Sequence, residues 1–574
     1  MVELCMRPWV VRPVDEAAAQ VLARSLDTSP LIARILLARG MSDAPTADRF
    51  LGARLADMPD PSAMADIERA GSRLLAAIRA GEKVTIYGDY DVDGVTSAAT
   101  LWLFCRDVLG VELDVYIPHR LREGYGLNLD AIEALADAGT RVLVTVDNGS
   151  SAVREITRAR ERGMDVIIVD HHQVADPEPP AYAHLNPHRK VCEFADKGLA
   201  AVGVTFMLLV ELRRQLRAAT WFTGPNPRPD RYLDLVALGT VADVAPLVGV
   251  NRALVRFGVA QMRQRPRVGV EALLTVAQVK PGTVTARDLG YRLGPRINAA
   301  GRLDDAAVGL RLLIGDDPVR ARELAARLDA QNLERRTIEQ RIAGEAVARV
   351  EGDATLLDSS VLVLESEEWH LGVVGIVASR LVERFNRPAI LLARDGDQWK
   401  GSARSVPAVN IKRALDDCAH HLTRYGGHIG AAGLALVPAE LDSFRESLNL
   451  AISHQITHIG PPTLEVDAEV DLNHLGPADI EGLEALGPFG HANPAVRLLA
   501  RGVRGRAKSL RGGHFKLDVF GTAGPCEAIG WGMEAALRFA QGPLDLLFSP
   551  RMETWRGTRR LVLELVDLRP SEPV

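Results

Sequence analysis

A chain of 574 residues is too long for one ordinary domain, and three or four are expected. Its 47% hydrophobic and 25% charged residues exclude a disordered chain, and a net charge of −6 excludes a uniformly basic nucleic-acid coat. Five cysteines (Cys5, Cys105, Cys192, Cys418, Cys526) form no CxxC pair, which argues against a thiolate zinc site and a disulfide framework and fits a reducing cytoplasm.

Residues 1–59 read as a polar, helical lead-in without the apolar core of a signal peptide. From residue 60 the pattern becomes α/β. Short apolar runs at 84–87, 113–117, 142–146 and 166–169 alternate with alanine-rich helical stretches, which implies a parallel sheet covered on both faces. The apolar stretch 199–210 is too short to span a bilayer and reads as a core helix, so no membrane partner is expected. A Gly/Pro loop at 224–229 interrupts the helices. A long amphipathic helix is expected over 318–352, with Leu324, Leu328, Ile338, Ile342 and Val350 near one face, joining two lobes. A second α/β block spans 353–455. Beyond 456, short alternating runs between glycine turns suggest a small β-barrel.

Three acidic or imidazole clusters directly follow apolar runs: Asp89, Asp91 and Asp93 with Gly94; Asp147; and Asp170, His171, His172. A fourth aspartate, Asp243, follows a helical run, a position that by itself also suits a cap. The spacing Asp89-x-Asp91-x-Asp93-Gly94 also opens an EF-hand loop. That reading fails because the twelfth position is Thr100 and a strand, not a helix, precedes the motif. In parallel sheets, ligands bind beyond the carboxyl ends of the strands, where these clusters fall together. Carboxylates so gathered repel one another unless cations neutralise them. Two cations about 3.5–4 Å apart that share a carboxylate activate a water and polarise a phosphoryl oxygen. Mixed Asp/His ligation favours Mn²⁺, with Mg²⁺ as the alternative. The clusters thus describe a two-metal hydrolase without naming its substrate.

These residues resemble the DHH phosphoesterases, a family named for the triplet seen here as Asp170-His171-His172, and within it the bacterial exonucleases of single-stranded DNA. The likeness covers nearly the whole chain. It includes the motifs at 87–94, 122–126, 146–149, 238–243, 293–302, 370–375, 401–405 and 426–433. Tyr90 and Val92 stand where the family has Phe and Ala, and Gln173 follows the histidines; none of these removes a ligand.

The resemblance implies a DHH domain (60–317), the connector helix, a DHHA1 domain (353–455) and an OB-like domain (456–574). It implies that Asp89, Asp91, Asp93, Asp147, His171 and Asp243 surround the metals. Asp147 would bridge them, and Asp147, His171 and His172 would serve catalysis. Substrate contacts are implied for Arg122, Tyr125, Arg296, Asn298, Arg302, Ser402, Arg404, Gly426, Gly427 and His428. As lone residues, the arginines equally suit ion pairs, and Gly426-Gly-His428 suits a plain turn. Basic residues from Arg497 to Lys516 and Arg551 to Arg560, interleaved with Phe515, Phe520, Trp531 and Trp555, suit a groove for single strands, though some of these aromatics also suit a core.

The implied activity is 5′→3′ hydrolysis of single-stranded DNA to 5′-mononucleotides, in repair and recombination. The resemblance also implies a cytoplasmic monomer, with a single-strand-binding protein and a helicase as partners. Two rivals stay open: a DHH phosphoesterase of dinucleotides or nucleotide bisphosphates, and a non-catalytic DHH scaffold that only binds single strands.

Overall fold

The computed structural model describes residues 7–221, 226–456, 463–520, 526–540, 542–555 and 558–571. The Gly/Pro loop expected at 224–229 lies partly outside them, as do the side chains of Trp555, Arg556 and Arg559.

The N-terminal residues are not a free lead-in. Strand β1 (Trp9–Val11) is followed by helices Glu16–Leu26, Pro30–Ala38 and Ala44–Gly52. Asp15, Ser29 and Asp43 cap these helices by accepting from their first free amides. The apolar faces, including Leu22, Ile32, Ile35 and Leu36, share one core with Leu483, Leu498 and Phe548 from the other end of the chain.

The central sheet contains β2 (Val84–Tyr87), β3 (Asp114–Tyr116), β4 (Val142–Val146), β5 (Asp165–Val169) and β6 (Ala183–Leu185), in the order β3-β2-β4-β5-β6 and parallel throughout. Every residue of β2 and β4 is buried, because helices cover both faces. The stretch read as a core helix lies within helix Ala201–Ala218, whose first half is fully buried. The connector helix runs Pro318–Gly352, with Asp317 as its N-cap.

The second lobe is a sheet of β7 (Leu362–Ser366), β8 (Ala389–Asp395), β9 (Gln398–Arg404), β10 (Arg424–Gly427) and β11 (Ala431–Leu436), in the order β10-β11-β9-β8-β7. Its helix Leu371–Phe385 packs on the connector helix.

Strand β12 (Leu464–Val466) pairs in parallel with β1. A sheet of seven strands follows: β13 (Ala468–Glu469), β14 (Leu498–Val503), β15 (Gly505–Leu510), β16 (His514–Val519), β17 (Cys526–Gly530), β18 (Leu544–Trp555) and β19 (Thr558–Pro570). The Trp9 indole donates to Asp567 at 2.9 Å, and the Arg569 guanidinium lies 3.5 Å from the centre of its ring. The two ends of the chain therefore form one module. No helix among the described residues is long and apolar enough to cross a membrane.

Candidate active site

The acidic clusters meet at the carboxyl ends of β2, β4 and β5. After β2 the chain turns into helix Val92–Phe104, whose N-cap is Asp91; its carboxylate accepts from the amides of Asp93 (2.8 Å) and Gly94 (3.1 Å). A Cβ at position 94 would lie 2.5 Å from the backbone nitrogen of Asp89, so only glycine lets the loop fold back this tightly. Asp93 accepts through both oxygens from Ala201 (2.7 Å) and Val202 (2.9 Å), the first amides of helix Ala201–Ala218. Asn298 accepts from the Val92 amide at 3.1 Å and so holds this loop.

Asp147 leaves β4 with φ +66, a left-handed conformation that Asp tolerates better than most residues. Its Oδ1 lies 3.3 Å from His171 Nε2, which is also 3.9 Å from Asp93 Oδ2 and 3.8 Å from Asp243 Oδ2. Asp243 closes the site as the C-cap of helix Leu233–Ala242. Three groups of possible ligands result: Asp89, Asp91 and Asp147; Asp93, His171 and Asp243; and Asp147, His171 and His172. Asp147 belongs to two of them.

Buried atoms in the cluster are left without hydrogen-bond partners: Asp89 Oδ1, Asp147 Oδ1 and His171 Nε2. A buried carboxylate oxygen or ring nitrogen without a donor is costly, and divalent cations held by these groups would satisfy them. The charges agree. Burial, then neighbouring carboxylates, push Asp89 and Asp147 well above the usual range, Asp93 to about 7 and Asp243 to about 9. Burial pushes His171 down to about 4, leaving a neutral imidazole able to bind a metal. The donor set therefore fits divalent cations.

Asp170 plays a different part. Its Oδ1 accepts from the amides of His171 (2.7 Å) and His172 (3.2 Å) and lies 2.8 Å from His172 Nδ1; its Oδ2 accepts from Ser150 (2.9 Å). Burial opposes charge on His172, but the Asp170 hydrogen bond and nearby carboxylates outweigh it and raise this imidazole to about 9. Tyr125 lies over His172, its hydroxyl 3.2 Å from the ring nitrogens. Glu123 anchors the Tyr125 loop by accepting from the Tyr116 hydroxyl (2.5 Å) and the His119 amide (2.6 Å).

Across the seam between the lobes lies a cationic cluster. Arg302 donates to the Gly372 carbonyl at 2.9 Å, and Arg404 donates to its neighbour's carbonyl. Gly372 and Gly375 explain the glycines of the 370–375 motif. A Cβ on the first would lie 2.6 Å from the Arg302 carbonyl, and one on the second 3.1 Å from Ser402 Oγ and Arg404 Nη2. Arg120, which sequence reasoning missed, lies 4.9 Å from the Tyr90 ring centre. Its charge acts on Asp89, Arg302 and Arg404 alike. Burial, then Arg120 and other arginines, lower Arg302 to about 10. Among the described residues Arg120, Arg302 and Arg404 have no carboxylate partner, which leaves three guanidiniums free for an anion.

Other expected contacts fall elsewhere. The Arg296 guanidinium pairs with Asp329 of the connector helix at 2.8 Å and donates to the Arg292 carbonyl. Arg122 is exposed in the short helix Arg120–Glu123 that precedes Tyr125. Gly426, Gly427 and His428 form the exposed hairpin joining β10 and β11, in which Ala431 pairs with Arg404. Gly427, at φ +148, could not carry a Cβ, which would lie 2.4 Å from the Ala431 carbonyl.

Several of the basic residues of the C-terminal module are paired with carboxylates. Lys508 pairs with Asp518 (2.9 Å), Arg501 with Glu469 (3.0 Å), and Lys516 and Arg560 with Glu527 (2.5 and 2.8 Å). Arg497, Arg504, Arg506 and Arg511 have no carboxylate partner among the described residues. Phe515 is core, whereas Phe520 and Trp531 are 60% and 50% exposed.

A parallel sheet with this cluster at its carboxyl edge defines a DHH-family protein. Three family descriptions match in order: "DHH family, N-terminal domain" over residues 83–240, "DHHA1 domain" over 358–454 and "RecJ OB domain" over 466–567. The single-stranded-DNA-specific exonuclease RecJ of Escherichia coli is 35% identical over 97% of this chain and 98% of its own length. That of Bacillus subtilis is 37% identical over 86% of this chain, a match that spans 61% of the longer relative. The chain belongs to the RecJ family of exonucleases. A crystal structure of Thermus thermophilus RecJ with Mn²⁺ superposes with a TM-score of 0.83 at 29% identity, covering 99% of this chain and 80% of that one. A second, with Mg²⁺, gives 0.77 at 28% identity over 99% and 79% of the two chains.

Proposed function

We propose that the chain is a metal-dependent exonuclease that digests single-stranded DNA from its 5′ end and releases 5′-mononucleotides. Mn²⁺ is the favoured cation and Mg²⁺ the alternative. The observation that carries this reading is the juxtaposition of two opposite charges in one cleft: acidic ligands on the first lobe, and Arg120, Arg302 and Arg404 beside them at the seam.

Asp89, Asp91 and Asp147 would hold one cation and Asp93, His171 and Asp243 the other, with Asp147 Oδ1 3.3 Å from His171 Nε2. When bound, the cations activate the attacking water and neutralise charge on the phosphoryl oxygens. The three arginines and Ser402 grip the terminal phosphate, and the hairpin at Gly426–His428 flanks it. Gripping the end sets which bond reaches the acidic cluster, so cleavage proceeds from the terminus. His172, kept charged by Asp170, presents an N–H to the scissile phosphate and supplies a proton as the P–O3′ bond breaks. Tyr125 holds that imidazole in place. The exposed aromatics and unpaired arginines of the C-terminal module hold the strand behind the cleft. The enzyme works as a cytoplasmic monomer in DNA repair and recombination, beside a single-strand-binding protein and a helicase.

The test uses single strands, duplexes and RNA labelled separately at the 5′ and 3′ ends, with a dinucleotide for comparison. Mononucleotides released from the 5′ end of single-stranded DNA are expected. Release from the 3′ end, or faster turnover of the dinucleotide, sinks the reading.

A further inference from the structure

The turn that carries Asp243 is strained. Val244 has φ +60, a left-handed conformation that β-branched residues avoid, and its side chain is 64% exposed, so little packing compensates. The helix end closes around it, with the Val244 amide donating to Val241 and the Ala245 amide to Thr240, both at 3.2 Å. In that pattern glycine is the usual residue at this position. Such conformations persist only where the surroundings hold them.

Asn251 of the following helix donates to the Pro246 carbonyl at 3.1 Å, and a second support comes from the far end of the chain. Four residues after Asp243, the buried Leu247 donates its amide to the carbonyl of His491 at 2.8 Å. Gly490 packs directly on Leu247, where a Cβ would lie 2.7 Å from Leu247 Cδ1. The loop over residues 486–493 is closed by one buried side chain. Asn493 donates to the carbonyls of Leu486 (2.9 Å) and Pro488 (2.8 Å), and its Oδ1 accepts from Arg39 at 2.8 Å. Arg39 is itself fixed by Asp467 at 3.0 Å. Arg252, on the helix that follows the Asp243 turn, donates to Leu486 (2.9 Å), Ala485 (2.9 Å) and Phe50 (2.7 Å).

We infer that Asn493 is a positioning residue for the metal site: it shapes the 486–493 loop that presses on Leu247 and thereby sets Asp243. The module built from both ends of the chain then braces the metal centre. This rests on the reading of Asp243 as a metal ligand.

The test is Mn²⁺ titration calorimetry on the full chain, with thermal unfolding and steady-state kinetics alongside. Asn493→Ala, which opens the loop, should weaken Mn²⁺ binding by about tenfold, the scale seen when outer partners of metal ligands are lost. Saturating Mn²⁺ should restore kcat, and KM for single-stranded DNA should stay the same. Gly490→Ala, which wedges the loop away from Leu247 without removing a hydrogen bond, should shift Mn²⁺ affinity in the same direction. It carries the test if Asn493→Ala does not fold. Trp531→Ala, on the exposed face of the same module, should leave Mn²⁺ affinity unchanged. Lower thermal stability with unaltered Mn²⁺ affinity overturns the inference. If Asp243→Ala leaves Mn²⁺ affinity intact, the ligand reading fails instead. If the unaltered chain binds Mn²⁺ but leaves single-stranded DNA uncut, only the proposed activity fails.

Discussion

Asp147 Oδ1 lies 3.3 Å from His171 Nε2, and both atoms are buried without a hydrogen-bond partner. Two groups from the ends of adjacent strands face each other at a separation that suits two ligands of one cation. The rest of the cleft is arranged around this pair.

The pH dependence of stability follows from the carboxylates. Asp93 is raised to about 7 and Asp243 to about 9, against about 3.9 for an unfolded aspartate. Between these values the folded metal-free protein binds more protons than the unfolded chain. Its stability therefore falls as pH rises from about 4 through the folded pKa values, and levels off above them. Cations replace those protons. Thermal unfolding should show a larger stabilisation by Mn²⁺ at pH 8 than at pH 6; equal shifts at both would contradict the electrostatics.

Gly94→Ala would place a methyl group 2.5 Å from the Asp89 backbone. The loop must open, at a cost of about 1–3 kcal/mol, as for other overpacked sites. Denaturant unfolding should report that loss, and calorimetry should show weakened Mn²⁺ binding. A variant with normal stability and affinity would show that the close approach is dispensable.

Arg302 and Arg296 should separate cleanly. Arg404→Ala and Arg302→Ala are each expected to lower kcat/KM for 5′-phosphorylated strands by about tenfold or more, while barely changing that for 5′-hydroxyl strands. Arg296→Ala should lose stability through its Asp329 pair and leave KM unaltered. A KM defect in Arg296→Ala equal to that of Arg302→Ala would reverse the assignment.

On the C-terminal face, Arg506→Ala and Arg511→Ala should weaken single-strand binding and reduce its salt dependence, each by roughly the effect of one phosphate contact. Lys516→Ala removes a side chain already paired with Glu527 and should do neither. Fluorescence anisotropy at several salt concentrations distinguishes them.

The parallel sheet and its acidic edge were legible because aspartates directly after buried strands announce both position and chemistry. The joining of chain ends was not. Leu36 and Phe548 share a core, and no local pattern records a contact between residues so distant in sequence. Arg296 and Arg302 sit in one motif and one helix, Gly294–Leu303. With about 3.6 residues per turn, six positions place them on different faces, and only the packing decides which meets the seam. Arg120, the first residue of the short helix Arg120–Glu123, lies outside the 122–126 motif and carried no further signal. The C-terminal lysines looked like a groove because their acidic partners are on neighbouring strands.

The most direct test is Asp147→Ala, assayed on 5′-labelled single-stranded DNA in saturating Mn²⁺. Loss of mononucleotide release, with strand binding retained, is expected if the buried cluster performs the hydrolysis. Substantial turnover by that variant would contradict it.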